Sequence, residues 1–326
     1  MLEHGGGILA AAARYGIPAE KWLDLSTGIN PFGWPVPAVP ADCWRRLPEA
    51  EDGLVAAARA YYGASSLLPV AGSQAALQAL PLLRSPSTVG VLAPTYTEHP
   101  QAWERAGHVL RPLDADTIDG AVDSLDVLLL VNPNNPTGEC FSRERLESWL
   151  ERLARRGGWL VVDEAFMDAT PEASLVSLAG RPGLVVLRSL GKFFGLAGAR
   201  VGFVLAWPEL LAQLEERLGP WTVAAPSRWV ARHALADVAW QSAARKTLPL
   251  ASLRLKEVLT RHGLAPAGGT ALFQWVPTSA TVPIQERFAQ QGIWVRRFDS
   301  PPALRFGIPG GEEAWQRLEA ALESLP

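Results

Sequence analysis

Short, continuous apolar runs that alternate with amphipathic stretches constrain the fold of this chain more than any other feature. The runs are Val89 to Leu92, Val109 to Leu113, Val127 to Val131, Trp159 to Val162, Leu184 to Leu187 and Val201 to Leu205. Among them lie Gln74 to Leu83, His99 to Ala106 and Arg143 to Arg156, whose apolar residues recur at helical spacing. Runs without polar alternation belong to strands buried on both faces, as in a parallel sheet covered by helices on each side. The pattern predicts an α/β domain over roughly residues 50 to 205.

Beyond it the texture becomes α+β. Leu210 to Arg217, Ser227 to Ala236 and Ala239 to His262 read as helices, the last interrupted at Pro249. Ala271 to Val276, Ile293 to Arg297 and Ala303 to Gly307 read as strands, and Glu312 to Leu325 as a closing helix. The proline-rich segment Asn30 to Pro48 is too irregular for a regular element and reads as an ordered arm or a crossing connection. Three regions are expected: an N-terminal arm with part of a small domain (1–48), a large domain (49–218) and a small C-terminal domain (219–326).

Several function classes are not expected. A net charge of −3 offers no basic surface for nucleic acid or an acidic membrane. The two cysteines, Cys43 and Cys140, stand far apart without histidines at ligand spacing, so neither a metal site nor a disulfide is expected. The thirteen tryptophans are scattered and read as core or interface filler. No basic region precedes the apolar patch near the N-terminus, where Glu3 is acidic, and no run approaches the roughly 20 apolar residues that span a bilayer. A cytoplasmic protein is expected.

The chemistry-bearing segments begin with SLGKFFGLAGARVG, Ser189 to Gly202, where Lys192 stands among small residues with a serine before it and Arg200 after it. Such a lysine can act as an amine nucleophile while the serine and arginine grip a phosphate; a glycine-rich loop with a solvent-facing arginine is the plainer reading. Gly72, Ser73 and Gln74 open a helix, either as a phosphate cradle or as an ordinary N-cap. NPNNPTG, Asn132 to Gly138, follows an apolar strand, and its prolines hold Asn135 in one orientation or merely stiffen a loop. Asp163 ends the strand WLVV, where a buried carboxylate calls for a cationic partner unless it caps a helix.

Taken in order, these segments resemble the fold-type I enzymes that use pyridoxal 5'-phosphate (PLP), the aspartate aminotransferase superfamily. The resemblance implies a large domain with a mostly parallel seven-stranded sheet between helices, a smaller α+β domain, and a homodimer. It implies that Lys192 takes the cofactor's aldehyde, that Asp163 pairs with its ring nitrogen, that Asn135 donates to its ring oxygen and that Tyr96 stacks on the ring. Ser73, Ser189, Arg200 and the backbone of Gln74, beside Gly72, are the implied phosphate holders, and Arg305 the holder of the substrate carboxylate.

HGG at His4 to Gly6 and DLSTGINPFG at Asp24 to Gly33 resemble the threonine-phosphate decarboxylase family of cobalamin biosynthesis, which is related in architecture to histidinol-phosphate aminotransferases. That likeness implies PLP-dependent decarboxylation of L-threonine O-3-phosphate to (R)-1-amino-2-propanol O-2-phosphate, with His4, Gly5, Ser26, Gly28 and Asn30 on the substrate side. An aminotransferase for histidinol phosphate or a similar compound is the alternative. A PLP-sensing regulator with an appended DNA-binding domain and a decayed, non-catalytic scaffold are not expected. Two departures stand out: Phe166 occupies the place of a usual tyrosine, removing a hydrogen bond to the ring oxygen, and Leu47-Pro48 replaces a Tyr-Pro pair that reaches the partner subunit.

Overall fold

The computed structural model describes residues 4–325; Glu3 lies outside them. Each of the six apolar runs forms a strand, and a seventh, Leu68–Val70, completes the sheet. The spatial order is Leu68–Val70, Gly202–Leu205, Leu184–Ser189, Trp159–Asp163, Val127–Val131, Thr88–Leu92, Val109–Leu113. Only Gly202–Leu205 runs against its neighbours; all the other strands run the same way. The largely parallel sheet expected from the apolar runs is therefore present, with the seven strands that the family resemblance implies. Leu68–Val70 escapes sequence reading because three residues, one of them proline, carry too little pattern.

The central strands explain their own composition. Every residue of Val127–Val131 and Trp159–Asp163 is buried. The helix Arg143–Ala154 turns Leu146, Trp149, Leu150 and Leu153 inward at helical spacing, and the Ser142 hydroxyl caps it by accepting from the Arg145 amide. Val89, Trp103, Val127, Leu129, Val161, Val185, Val204 and Leu214 form one continuous core. Burial of each such side chain contributes about 1.5–3 kcal/mol relative to exposure.

A second sheet has the order Leu23–Leu25, Ile293–Asp299, Pro302–Gly307, Phe273–Pro277, Gly268–Thr270, the first pair parallel and the rest antiparallel. Leu255, Val258, Phe288, Val295, Leu304, Phe306 and Trp315 build its core. The helix Val238–Arg261 runs through Pro249 without a break, contrary to the expected interruption. Pro249 lies on the exposed side, where water can take the carbonyl it leaves without a donor, while Leu248 and Leu255 stay buried.

The described residues form two compact units, 4–33 with 136–139 and 243–325, and 34–135 with 140–242. These divisions differ from the expected boundaries at 48/49 and 218/219, for reasons visible in the larger unit. Trp34 donates its backbone amide to the Phe194 carbonyl (2.8 Å) and its indole to Asp237 (3.0 Å). The helix Ala225–Ala236 packs on Leu54–Tyr62, and Arg228 holds Asp52 through two hydrogen bonds of 2.6 and 2.8 Å. Of the tryptophans, Trp103 and Trp149 are fully buried, whereas Trp44 and Trp221 are exposed.

Candidate active site

The strand pairing of the larger unit brings the phosphate-type donors together. Ser189, the last residue of its strand, lies opposite Gly202. A Cβ on Gly202 would stand 2.5 Å from the Ser73 amide nitrogen, and one on Gly72 would stand 2.7 Å from Arg200 Nη2. Ser73, Ser189 and Arg200 are thus brought to the backbone of Gly72 and Gly202, which pass too close to their neighbours to carry side chains. Among the described residues no side chain caps the helix Ser73–Ala79, which spans only seven residues, so its dipole is short and the Arg200 charge dominates. Arg200 itself has a left-handed backbone (φ 52), which costs about 1–2 kcal/mol for a residue with a Cβ. Strain of this kind collects at functional sites.

Lys192 follows three residues after Ser189 and is half-buried, its Nζ 5.4 Å from the centre of the Phe166 ring. Phe193 and Phe194 beside it are fully buried against Trp240.

Asp163 is the buried end of its strand, and its partner within the protein is His99. His99 Nε2 lies 2.8 Å from Asp163 Oδ2, with both side chains almost wholly buried, and Asp163 Oδ1 accepts the Ala165 amide at 3.0 Å. With Nε2 protonated, His99 donates to this carboxylate, whose remaining lone pairs can accept again. His99 is a residue the sequence reading missed as a site member. The available signal was its place three residues after Tyr96, one helical turn away, at the start of Glu98–Arg105. The two rings meet edge to face at 6.0 Å. The Tyr96 hydroxyl donates to Gln74 Oε1 at 3.3 Å, and Gln74 Nε2 donates to Glu98, so the Gly72–Gln74 turn and the Tyr96 turn hold each other.

Asn135 ends a tethered loop. Asn132 Oδ1 accepts the Phe141 amide (2.8 Å), the Asn132 backbone N–H donates to the Asp163 carbonyl (2.9 Å), and Asn134 accepts the Thr95 hydroxyl and donates to the Pro94 carbonyl. The polar side chains of NPNNPTG ahead of Asn135 are thus used to position the loop.

The remaining candidates belong to the smaller unit. Arg305 is buried, donates to the Ser26 carbonyl at 2.8 Å and stacks 5.0 Å from the Phe273 ring. The Ser26 hydroxyl donates to Asp24 at 2.6 Å and accepts the Gly6 amide at 2.7 Å. Gly5 is constrained by its own chain: a Cβ there would lie 2.4 Å from the Ser26 carbonyl oxygen. Asn30 is buried and accepts the Phe32 amide, Gly28 is buried, and His4 is exposed. Sequence reading also passed over Arg296, which lies directly across the antiparallel ladder from Arg305. Opposite residues project from the same face, and both guanidiniums reach the Phe298 ring, at 5.0 and 6.0 Å. Two guanidiniums on one face can each donate to an anionic ligand.

Among the described residues no group of three or more His, Cys, Asp or Glu could hold a metal ion, and no helix is long and apolar enough to cross a membrane. The model of the family described as "Aminotransferase class I and II" matches residues 46–325. The chain is 56% identical to a threonine-phosphate decarboxylase of Pseudomonas aeruginosa, covering 99% of this chain and 97% of that one. It is 31% identical to a histidinol-phosphate aminotransferase of Aeromonas hydrophila, over 97% and 94%. Among solved structures, histidinol-phosphate aminotransferase from Sinorhizobium meliloti in complex with pyridoxal-5'-phosphate has the same fold, with a TM-score of 0.85, 22% identity and coverage of 98% and 95%. With the family's sequence model spanning most of its length and a seven-stranded, mostly parallel sheet carrying Asp163 and Ser189 at strand ends, this chain belongs to the class I and II aminotransferase family.

Proposed function

We propose that this chain is a PLP-dependent threonine-phosphate decarboxylase, converting L-threonine O-3-phosphate to CO2 and (R)-1-amino-2-propanol O-2-phosphate for cobalamin biosynthesis. The observation that carries the reading is 56% identity over nearly the full length to a protein of that name. A homodimer in the cytoplasm belongs to the same reading.

The donor set fits the cofactor. Arg200, Ser189 and Ser73 around the side-chain-free surface of Gly72 and Gly202 are the charge and hydroxyls that a phosphate ester requires. They would hold the phosphate with the Gln74 backbone, Lys192 the aldehyde, Asn135 the ring oxygen, Tyr96 a face of the ring and Asp163 the ring nitrogen. When bound, PLP supplies an electron sink for the pair released as a bond to the substrate's α-carbon breaks.

The protein's own residues do the rest. His99 holds the Asp163 carboxylate at one oxygen and the Ala165 amide holds it at the other, so its charge keeps one position without water to screen it. Arg305 takes the substrate carboxylate by its two-pronged face, and Arg296 beside it takes the substrate phosphate. His4, Gly5, Gly28 and Asn30 complete the substrate side. Gripping both anionic ends fixes which bond of the α-carbon lies in the reacting orientation, here the bond to the carboxylate. The Lys192 amine is the proton donor to the α-carbon once CO2 has left. Phe166 offers no phenol hydroxyl near Lys192, which sets this chain apart from aminotransferases carrying a tyrosine there.

Purified protein incubated with PLP and L-threonine O-3-phosphate releases CO2 and aminopropanol phosphate in equal amounts. Keto-acid formation without CO2 rejects the proposal. Similarity to a histidinol-phosphate aminotransferase favours one rival, and consumption of 2-oxoglutarate with histidinol phosphate as donor would establish it.

A further inference from the structure

Behind the candidate site the larger unit buries a charged cluster that none of the proposed binding roles uses. Arg188 immediately precedes Ser189, and Glu164 immediately follows Asp163. Arg188 Nη1 donates to Glu164 Oε2 at 2.7 Å, and Nη2 donates to Asp168 Oδ1 at 2.5 Å. All three side chains are at most 2% exposed. Glu164 also accepts from the Ser174 hydroxyl and from the Leu175 amide (2.8 Å), and the Tyr61 hydroxyl donates to Asp168 at 2.9 Å.

Taking three ionised groups out of water costs several kcal/mol per ion, and apolar residues of similar size would stabilise a core at least as well. What the ions add is direction. Glu164 and Asp168 bracket Phe166, two residues to either side, so one guanidinium ties down both flanks of the turn that places the Phe166 ring under Lys192. The same guanidinium leaves the strand one residue before Ser189. Tyr61 closes the circuit, its hydroxyl on Asp168 and its ring edge-on to Phe194, at 5.5 Å, two residues after Lys192.

We propose that Arg188, with Glu164, Asp168 and Tyr61, is a positioning clamp that fixes the Lys192 amine relative to Asp163. None of the four touches the reacting atoms; they act through the two turns that do. The inference rests on the reading of Lys192 and Asp163 as PLP-holding residues.

The test uses the full chain carrying Arg188→Lys, which keeps the charge but loses the fork, and Tyr61→Phe, which keeps the ring but loses one hydrogen bond. PLP affinity and the pH midpoint of the bound cofactor's visible band are measured beside melting temperature. Arg188→Lys is expected to weaken PLP binding about tenfold and to displace the band's pH midpoint, with Tyr61→Phe moving both in the same direction by about threefold in affinity. A merely structural cluster would lower the melting temperature and leave the affinity and the midpoint at their wild-type values, which overturns the inference. If Arg188→Lys does not fold, Tyr61→Phe decides by the same criterion. Wild-type protein that takes up no PLP overturns the cofactor reading and this inference with it. Wild-type uptake with unaltered variants overturns the clamp alone.

Discussion

Replacing Gly72 with alanine separates a structural demand on the backbone from a demand of the ligand. Gly72 has φ 72 and ψ 156, a conformation that residues with a Cβ adopt only under strain, at a cost of about 1–3 kcal/mol. The new methyl would stand 2.7 Å from Arg200 Nη2 and 3.2 Å from Cζ. Ordinary contact begins near 3.5 Å, so the guanidinium must retreat by about 0.8 Å. It is the tip of a flexible side chain and can move cheaply, which adds little to the folding cost. The move does, however, take the charge away from the place where the cofactor phosphate would sit. A hydrogen bond to a charged group contributes about 1.5–3 kcal/mol, so PLP affinity should fall about 10- to 100-fold. Titration of the apo-protein with PLP, followed by the visible band, reads the affinity, and urea unfolding of the same samples reads stability. In an Arg200→Ala background the alanine at 72 should cost little further affinity while its stability loss persists. Unchanged PLP affinity in Gly72→Ala, whatever happens to stability, would refute the assignment of this patch to the phosphate.

Four other outcomes are expected. Lys192→Ala should abolish the PLP-dependent visible band while leaving the fold intact by circular dichroism. His99→Phe leaves the Asp163 carboxylate with the Ala165 amide but without its buried side-chain donor, and should cost about 1–3 kcal/mol in urea unfolding, with weaker PLP binding. Arg296→Met should raise KM for threonine phosphate by at least about tenfold in steady-state assays, because a charge-assisted contact to the substrate phosphate is lost. Burial and the Glu286 carboxylate, which accepts its hydroxyl at 2.7 Å, push the Tyr15 phenol up to about 12 from 10.0. The folded state therefore keeps this proton where the unfolded state has released it. Its stabilising contribution is complete below pH 10.0 and is lost as pH rises toward about 12. Tyr15→Phe should flatten that alkaline loss in pH-dependent unfolding.

Legibility in the sequence followed the range of the interactions. Val127–Val131 and Trp159–Asp163 declared themselves because five consecutive apolar or strand-ending residues suffice to mark a strand buried on both faces. Arg143–Ala154 did so through the helical spacing of its apolar residues. Leu68–Val70 and Leu23–Leu25 are too short for either signal, and each exists because a neighbouring strand offers an edge. Pro249 read as a helix breaker because local propensity opposes it, yet packing on both sides carries the helix through. In the candidate site, the strand-end Asp163 and the Ser189–Arg200 segment were legible as chemistry. His99 was not, because its partner lies 64 residues away. Neither were Glu164, Asp168 and Arg188, which look like ordinary surface charges until the strands pair.

By itself the sequence determined which elements form and which chemical groups the chain possesses, in order: a lysine, an aspartate, an arginine and the serines around them. Those properties reside in single residues and in the spacing of near neighbours. Only the tertiary structure decided which groups share a place. It set Arg200 against Gly72, His99 on Asp163, Arg188 between Glu164 and Asp168, and Arg296 across from Arg305. The reason is physical. The worth of a charge depends on its burial and on partners within a few ångströms, and both are products of strand order and register rather than of position along the chain.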